Sequence, residues 1–326
     1  MEMVVEAWDE RYANAVIALW NKEAARDGYK ELDADSFNRI FTGNPYFDPK
    51  AAFVWLDGRD VAGFSCGCTG DELPLGDKAG YITCIVLRRE HATGANYKRL
   101  VHALEARFAE LGKTQADVLF FNPMQLPWYI PDTPSHEHNN APGVPVGSLL
   151  HRFLLGEGYA ERAVEQAMYL EMSCFAVPED IRLKEAAAAE KGYAVGVFSS
   201  SEIGGIADML TGLGNPLWTE EITRCAAEGT PVVFAAKEGQ AAGFAGPVIR
   251  QPNGRGCFAG IGVHPDHEGN GLGTVLFFKL CEAFRAIGTP YMSLYTGSAN
   301  PAARIYEKAG FRTVKTFAVM RKELFK

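Results

Sequence analysis

Hydrophobic and polar positions fall into a pattern that occurs twice along the chain. Gly80-Tyr81-Ile82-Thr83-Cys84-Ile85-Val86-Leu87 is a run of apolar and β-branched residues of strand length. A polar turn from His91 to Asn96 follows. Apolar residues then return at three- and four-residue intervals, at Tyr97, Leu100, Val101, Leu104, Phe108 and Leu111, which predicts a helix with one buried face. The same succession begins again 177 residues later, counted from Gly94 to Gly271. There Gly256 to Val263 reads as the strand, Glu268 to Gly273 as a glycine-rich turn, and Leu276, Leu280, Ala283, Phe284 and Ile287 as the helix face. Further on, each half closes a short helical stretch on glycine followed by an aromatic, Gly158-Tyr159 and Gly310-Phe311.

The two copies differ in length between these landmarks, 64 residues from Gly94 to Gly158 against 39 from Gly271 to Gly310. The extra 25 match the segment Asn122 to Val146, which holds six of the 17 prolines and predicts an extended loop without a core of its own. An Ala/Glu/Lys-rich segment around Leu183 to Ala187 predicts a connecting helix, placing the boundary between Pro178 and Lys191. The expected halves are residues 1–178, with the insertion at 122–146, and 190–326. Each reads as a strand, one or two helices, a meander, a long helix, a strand, a short helix and final strands: an α+β fold, duplicated.

Composition narrows the function. Forty acidic against 32 basic residues give a net charge of −8, the wrong sign for wrapping nucleic acid or lying on anionic lipid. No apolar run approaches the ~18 residues of a membrane span, and the acidic start lacks a signal-like apolar stretch. Seven cysteines, an odd number, predict reduced thiols and a cytoplasmic protein. His264 with His267, and His136-Glu137-His138 in the insertion, lack the further ligands of a zinc site, so no metal is expected.

Glycines between a strand and a helix let a ligand approach the backbone, and the unpaired N–H groups of the helix's first turn attract an anion such as a diphosphate. Here the loop Glu268-Gly269-Asn270-Gly271-Leu272-Gly273 follows Val263-His264-Pro265, and downstream stands Asn300-Pro301-Ala302-Ala303-Arg304-Ile305-Tyr306-Glu307-Lys308-Ala309-Gly310-Phe311. Together these resemble the GNAT superfamily of acyl-CoA-dependent N-acetyltransferases, over roughly residues 190 to 326. Gly271 and Gly273 match its diphosphate loop; Ala302, Tyr306, Gly310 and Phe311 match its second signature. Two positions depart from the pattern: Glu268 stands where the family has Arg or Gln, and Asn300 lies one place nearer the tyrosine than usual.

The resemblance implies a mixed, mostly antiparallel sheet flanked by helices in each half, with acetyl-CoA as co-substrate and a primary amine of a small molecule or peptide as acceptor. It implies Val263, Glu268, Gly269, Asn270, Gly271, Leu272, Gly273, Thr274, Asn300 and Ala302 around the cofactor. Tyr306 takes the family's role of acid towards the departing thiolate. No base is evident on the strand, which lacks a carboxylate; Glu220, Glu221, Tyr295, the chain end at Lys326 and a water relay stay open. The first half resembles the family more faintly. Only Gly94 is in place in its loop, and Leu154 beside Phe153 occupies the tyrosine's position, which suggests a degenerate, acceptor-binding or structural half like those of tandem superfamily members such as mycothiol synthase. Trp128, Tyr129, His136, Glu137 and His138 of the insertion are expected to line a pocket. The alternative is a non-catalytic acyl-CoA-binding or ligand-sensing protein.

Overall fold

The computed structural model describes residues 3–119, 121–198 and 202–324. The first half runs β1 (Met3–Ala7), α1 (Ala13–Glu23), α2 (Ala34–Ile40), β2 (Ala52–Asp57), β3 (Asp60–Cys68), β4 (Ala79–Leu87), α3 (Gly94–Glu110) and β5 (Gln115–Val118). Three short strands follow, β6 (Trp128–Tyr129), β7 (Glu137–His138) and β8 (Val144–Pro145), then α4 (Leu149–Gly156) and β9 (Ala160–Glu171). The second half runs α5 (Glu179–Glu190), β10 (Tyr193–Val197), α6 (Ile206–Leu213), α7 (Pro216–Glu228), β11 (Val233–Lys237), β12 (Gln240–Gly246), β13 (Ile249–Arg250), β14 (Arg255–Cys257) and β15 (Gly260–Val263). It ends with α8 (Leu272–Ala286), β16 (Tyr291–Gly297), α9 (Ala303–Lys308) and β17 (Arg312–Glu323).

The periodic segments fold as their patterns require. In α3 the predicted face is buried at Tyr97, Leu100, Val101, Leu104 and Phe108, and in α8 at Leu276, Leu280 and Phe284; Leu111 and Ile287, the last position of each pattern, are exposed just past the helix ends. Local chemistry sets the boundaries. Asp33 and Ser36 form a reciprocal capping box at the start of α2. Asn215 caps α7, which carries Pro216 in its first turn and stops at left-handed Gly229.

The chain divides into two compact units, one of residues 1–167 and 314–326, the other of 168–313. In the first, the strand order is β1-β2-β3-β4-β5-β17-β9, with β4 and β5 parallel. Its core lies on both sides of this sheet, with α1 and α2 over one face and α3 and α4 over the other. In the second, β9-β16-β14-β13 forms one sheet, with β14 and β16 parallel, and β10-β11-β12-β15 another. Helix α8 packs on the strands through Leu272, Leu276, Phe277, Leu280 and Phe284. These units differ from the expected halves at their ends, because β9 and β17 are each twelve residues long and continue from one unit into the other. Phe317, Ala318 and Met320 of β17 are wholly buried, and the strand pairs there with β5, Met320 facing Val118, and with β8, Phe317 facing Pro145.

The insertion departs from the expected open loop. Met124, Leu126, Trp128 and Ile130 are buried, β6 and β7 pair through Trp128 and His138, and the Trp128 indole N–H donates to the Asn140 carbonyl at 3.0 Å. Trp128 also stacks on His138, and Glu137 pairs with Lys30 at 2.6 Å. The segment therefore contributes core and cannot be excised at little cost. Trp128→Ala, which removes a fully buried side chain, is expected to destabilise the fold by about 3–5 kcal/mol in denaturant titration. A loss below about 1 kcal/mol would show that the segment is only draped over the unit. Among the described residues no helix is long and apolar enough to cross a membrane.

Candidate acyl-transfer site

Residues 256–263, which read as one strand, form two. Arg255 and Gly256 of β14 pair in parallel with Tyr291 and Met292 of β16. The chain leaves the strand at Phe258 and Ala259, and among the described residues β15 then pairs only with β12, from Gly260 facing Gly246 to Val263 facing Gly243. The two strands part at this point, and β15 is left with one edge open, its main-chain groups available to a ligand. The cause is packing. A Cβ on Gly260 would lie 2.4 Å from the Trp218 ring, and one on Gly262 would lie 2.7 Å from Leu213, so α6 and α7 press directly on the glycine face of β15. Trp218 fixes the break by donating its indole N–H to the Ala259 carbonyl at 3.2 Å. On the opposite face Ile261 and Val263 pack towards α8.

The glycines of the loop have another reason. Gly269 and Gly271 have φ of +75° and +73°, the left-handed region that suits glycine, and a Cβ on either would meet nothing within 4 Å. No neighbour in the fold requires them to be small; what they leave is open space before the first turn of α8. Gly271 is the N-cap of that helix, with no side chain capping it, so first-turn N–H groups remain for an anion. Asn270 holds the loop by donating to the carbonyls of His267 (3.0 Å) and Glu268 (3.2 Å), while its own oxygen accepts from Lys191 (3.0 Å). His267 is bonded to the Tyr193 hydroxyl at 2.9 Å, a partnership that the sequence did not reveal. The His264 ring accepts from the Asp266 N–H, and no group of three or more His, Cys, Asp or Glu residues poised for a metal occurs among the described residues. Glu268 is exposed, Leu272 is buried in the core, so that only its main chain faces the loop, and Gly273 and Thr274 are half-buried. The space, the uncapped helix and the missing Cβ atoms fit a diphosphate.

Tyr306 sits on α9 against α8, its ring 4.8 Å from Phe277 and 6.2 Å from Phe311. Its hydroxyl has no hydrogen-bond partner among the described residues, and burial raises its pKa above the ordinary tyrosine value. The Gly-Phe pair that ends the motif is a helix stop: Gly310 adopts φ +97°, which lets the Phe311 N–H return to the Tyr306 carbonyl at 3.0 Å. The first half uses the same device, with Gly158 at φ +88° and the Tyr159 N–H on the Leu154 carbonyl at 3.0 Å. Asn300 is exposed and accepts from the Ala302 N–H at 3.0 Å, so its side chain shapes the turn into α9. Among the base candidates, Glu221 pairs with Arg224 at 2.8 Å, Glu220 is exposed on α7, Tyr295 is half-buried on β16, and Lys326 lies outside the described residues.

The first unit repeats the parting without the loop. Ala79 to Tyr81 of β4 pair with Gln115 to Asp117 of β5, and beyond them, among the described residues, β4 continues against β3 alone. A cavity of about 410 Å³ lies there, lined by residues 82–87 of β4 and by Val118, Tyr97 and Leu154. Sequence reasoning did not find it. Leu126 and Val144 of the insertion line it too, but Trp128, Tyr129, His136, Glu137 and His138 do not. The helix start differs from that of α8: Thr93 caps α3 by accepting from the Asn96 N–H, and the Asn96 side chain donates to the His91 carbonyl at 2.8 Å. This loop occupies its own first turn.

Comparison with known proteins agrees with this geometry. Residues 208–311 match the sequence model of the acetyltransferase (GNAT) family. A GCN5-related N-acetyltransferase from Sphaerobacter thermophilus is similar in fold, with a TM-score of 0.64 at 15% identity over 99% of this chain and 96% of that one. A tandem GNAT protein from the clavulanic acid biosynthesis pathway gives 0.56 at 15% identity over 100% and 99%. A fungal multi-domain β-N-acetylglucosaminidase containing a GCN5-related glucosamine N-acetyltransferase region gives 0.65 at 15% identity over 98% of this chain, which spans only 38% of that protein. No curated protein sequence matches the chain. In a chain whose fold is similar to that of a tandem GNAT protein, and whose first half has Asn96 and Leu154 where the second has Gly273 and Tyr306, the second unit carries a domain of the GNAT acetyltransferase family.

Proposed function

We propose that the second unit transfers an acetyl group from acetyl-CoA to a primary amine of a small molecule or peptide. The observation that carries this reading is the parting of β15 from β16 beside an uncapped, glycine-led helix that also supports Tyr306. In it the N–H groups of Leu272, Gly273 and Thr274 take the diphosphate, Gly269 and Gly271 admit it, and Asn270 keeps the loop in shape. The open edge at Val263 guides the arm that leads to the thioester, with Glu268, Asn300 and Ala302 at the rim.

The amine nitrogen attacks the thioester carbonyl carbon, the carbon–sulfur bond breaks, and the sulfur leaves as thiolate beside the Tyr306 hydroxyl. Burial keeps that phenol protonated at neutral pH, and the same loss of water raises the basicity of a thiolate formed next to it. Tyr306 donates its proton there. The proton of the new ammonium leaves through water, because β15 presents glycine to α6 and α7 where a carboxylate would not fit. The free thiols, five of the seven buried, support a reducing compartment such as the cytoplasm.

The test is release of free thiol from acetyl-CoA over a panel of small amines and peptide N-termini. Release that requires both an amine and an intact Tyr306 is the expected result. Tight acetyl-CoA binding with no release across the panel would favour a non-catalytic acyl-CoA-binding protein.

A further inference from the structure

We infer that the cavity of the first unit is a second ligand site, and that it takes a small organic cation, a primary ammonium group carried on an apolar or aromatic body. The inference is independent of turnover in the second unit. The cavity is about 410 Å³, within the range of small-molecule pockets, and much of its wall is apolar, from Ile82, Ile85 and Leu87 on β4 to Val118 and Leu154. One wall is different. It is built from the end of α1 and the residues after it: Trp20, Glu23, Asp27 and Tyr29.

Glu23 is 8% exposed, and its Oε1 is buried without a hydrogen-bond partner among the described residues. Its other oxygen lies 3.4 Å from Arg26, and the Lys22 ammonium comes only to 3.8 Å of Oε1; both cations are more than half exposed. A buried carboxylate oxygen left without a donor is unfavourable, and this one stands on the wall of an empty space. Glu23 is also the last residue of α1, where the helix dipole is negative and disfavours a carboxylate. The same dipole favours a ligand cation. Trp20 and Tyr29, packed edge to face with ring centroids 5.6 Å apart, line the same wall; the Lys315 ammonium lies 5.7 Å from the Tyr29 centroid, which shows that this ring accepts a cation, and the exposed Asp27 adds a second carboxylate. A terminal carboxylate rotates readily about its last torsion, so either oxygen can meet an incoming N–H.

A diphosphate has no such welcome, because the first turn of α3 is closed by Thr93 and by Asn96. Three exposed arginines, Arg26, Arg89 and Arg152, stand on the lining as well, so an apolar acid is the competing ligand and has to be tested. No reaction is assigned to the site, since Leu154 stands where the second half has its phenol.

The experiment uses the full chain and three probes of one shape: phenethylamine, 2-phenylethanol and 3-phenylpropanoate. Calorimetry is expected to show the amine binding at least 10-fold more tightly than the alcohol or the acid. Glu23→Gln, which keeps the shape and removes the charge, is expected to weaken the amine 10-fold or more while amine-dependent acetyl transfer is retained. In the wild-type chain, hydrogen exchange should slow at the amides of residues 82–87 when phenethylamine is added, a readout that stands even if the variant folds poorly. Equal binding of amine and alcohol, tighter binding of the acid, an unchanged affinity in a folded Glu23→Gln, or protection confined to the second unit would each overturn the proposal.

Discussion

Gly271→Glu is expected to weaken acetyl-CoA binding by roughly 100-fold or more, equivalent to about 2.7 kcal/mol. Two effects are present. A non-glycine residue at φ +73° costs on the order of 1–2 kcal/mol of backbone strain, which lowers stability with or without ligand, whereas the new carboxylate would face the proposed diphosphate across a few ångströms and so weakens binding. At ~5 Å and an effective dielectric of ~20 that repulsion is about 3 kcal/mol per charge pair. Gly271→Ala separates the two. Its Cβ meets nothing within 4 Å, so it should lower stability by about 1 kcal/mol and leave most of the affinity. Gly94→Glu is the matching control in the first unit, where Thr93 already caps the helix; it should leave acetyl-CoA binding nearly unchanged. Calorimetry on the three variants decides the matter. An unchanged affinity in Gly271→Glu would remove the loop from the site, and an equal loss in Gly94→Glu would show that the first unit also holds the cofactor.

The contrast between the two loops was legible in the sequence because it depends on local chemistry. Glycine at 269, 271 and 273 against Thr93, Ala95 and Asn96 already says which helix start is open to an anion and which closes on itself. The faces of α3 and α8 were legible for the same reason: a helix repeats its contacts every three or four residues, so the pattern is written in neighbouring positions. Contacts between distant positions were not. Gly256 to Val263 has the composition of one strand, and the side chain that holds the break within it, Trp218, lies some forty residues earlier.

The insertion is a different case, since its signal was present but masked. Met124, Leu126, Trp128 and Ile130 occupy every second position, a strand-like alternation of buried residues, with Pro127 among them and prolines at 123 and 131 on either side. Proline content argued for a loop. The alternation, which carries the burial, argued for core, and the fold follows the alternation. The cavity of the first unit could not be read in this way. Glu23 falls on the buried face of α1, seven residues after Val16 and three after Trp20, but the space beside it is enclosed by residues far apart in the sequence, from Tyr29 to Leu154.

Tyr306→Phe is expected to lower kcat by about 100-fold or more, with acetyl-CoA affinity and stability close to those of the parent. The packing makes this separation possible. The ring lies against Phe277 and Phe311, contacts that phenylalanine retains, while the hydroxyl has no partner among the described residues whose loss would destabilise the fold. Tyr306→Ala should behave differently, losing activity and a few kcal/mol of stability together because it empties the space beside Phe277. The pH profile supplies a second, independent mark. An acid acts in its protonated form, and burial raises the Tyr306 pKa above its ordinary value near 10, so the alkaline fall in kcat due to this group should begin above ~10 and be missing in Tyr306→Phe. If Tyr306→Phe turns over at the parental rate, the residue only packs α9 on α8, and the thiolate must take its proton from solvent.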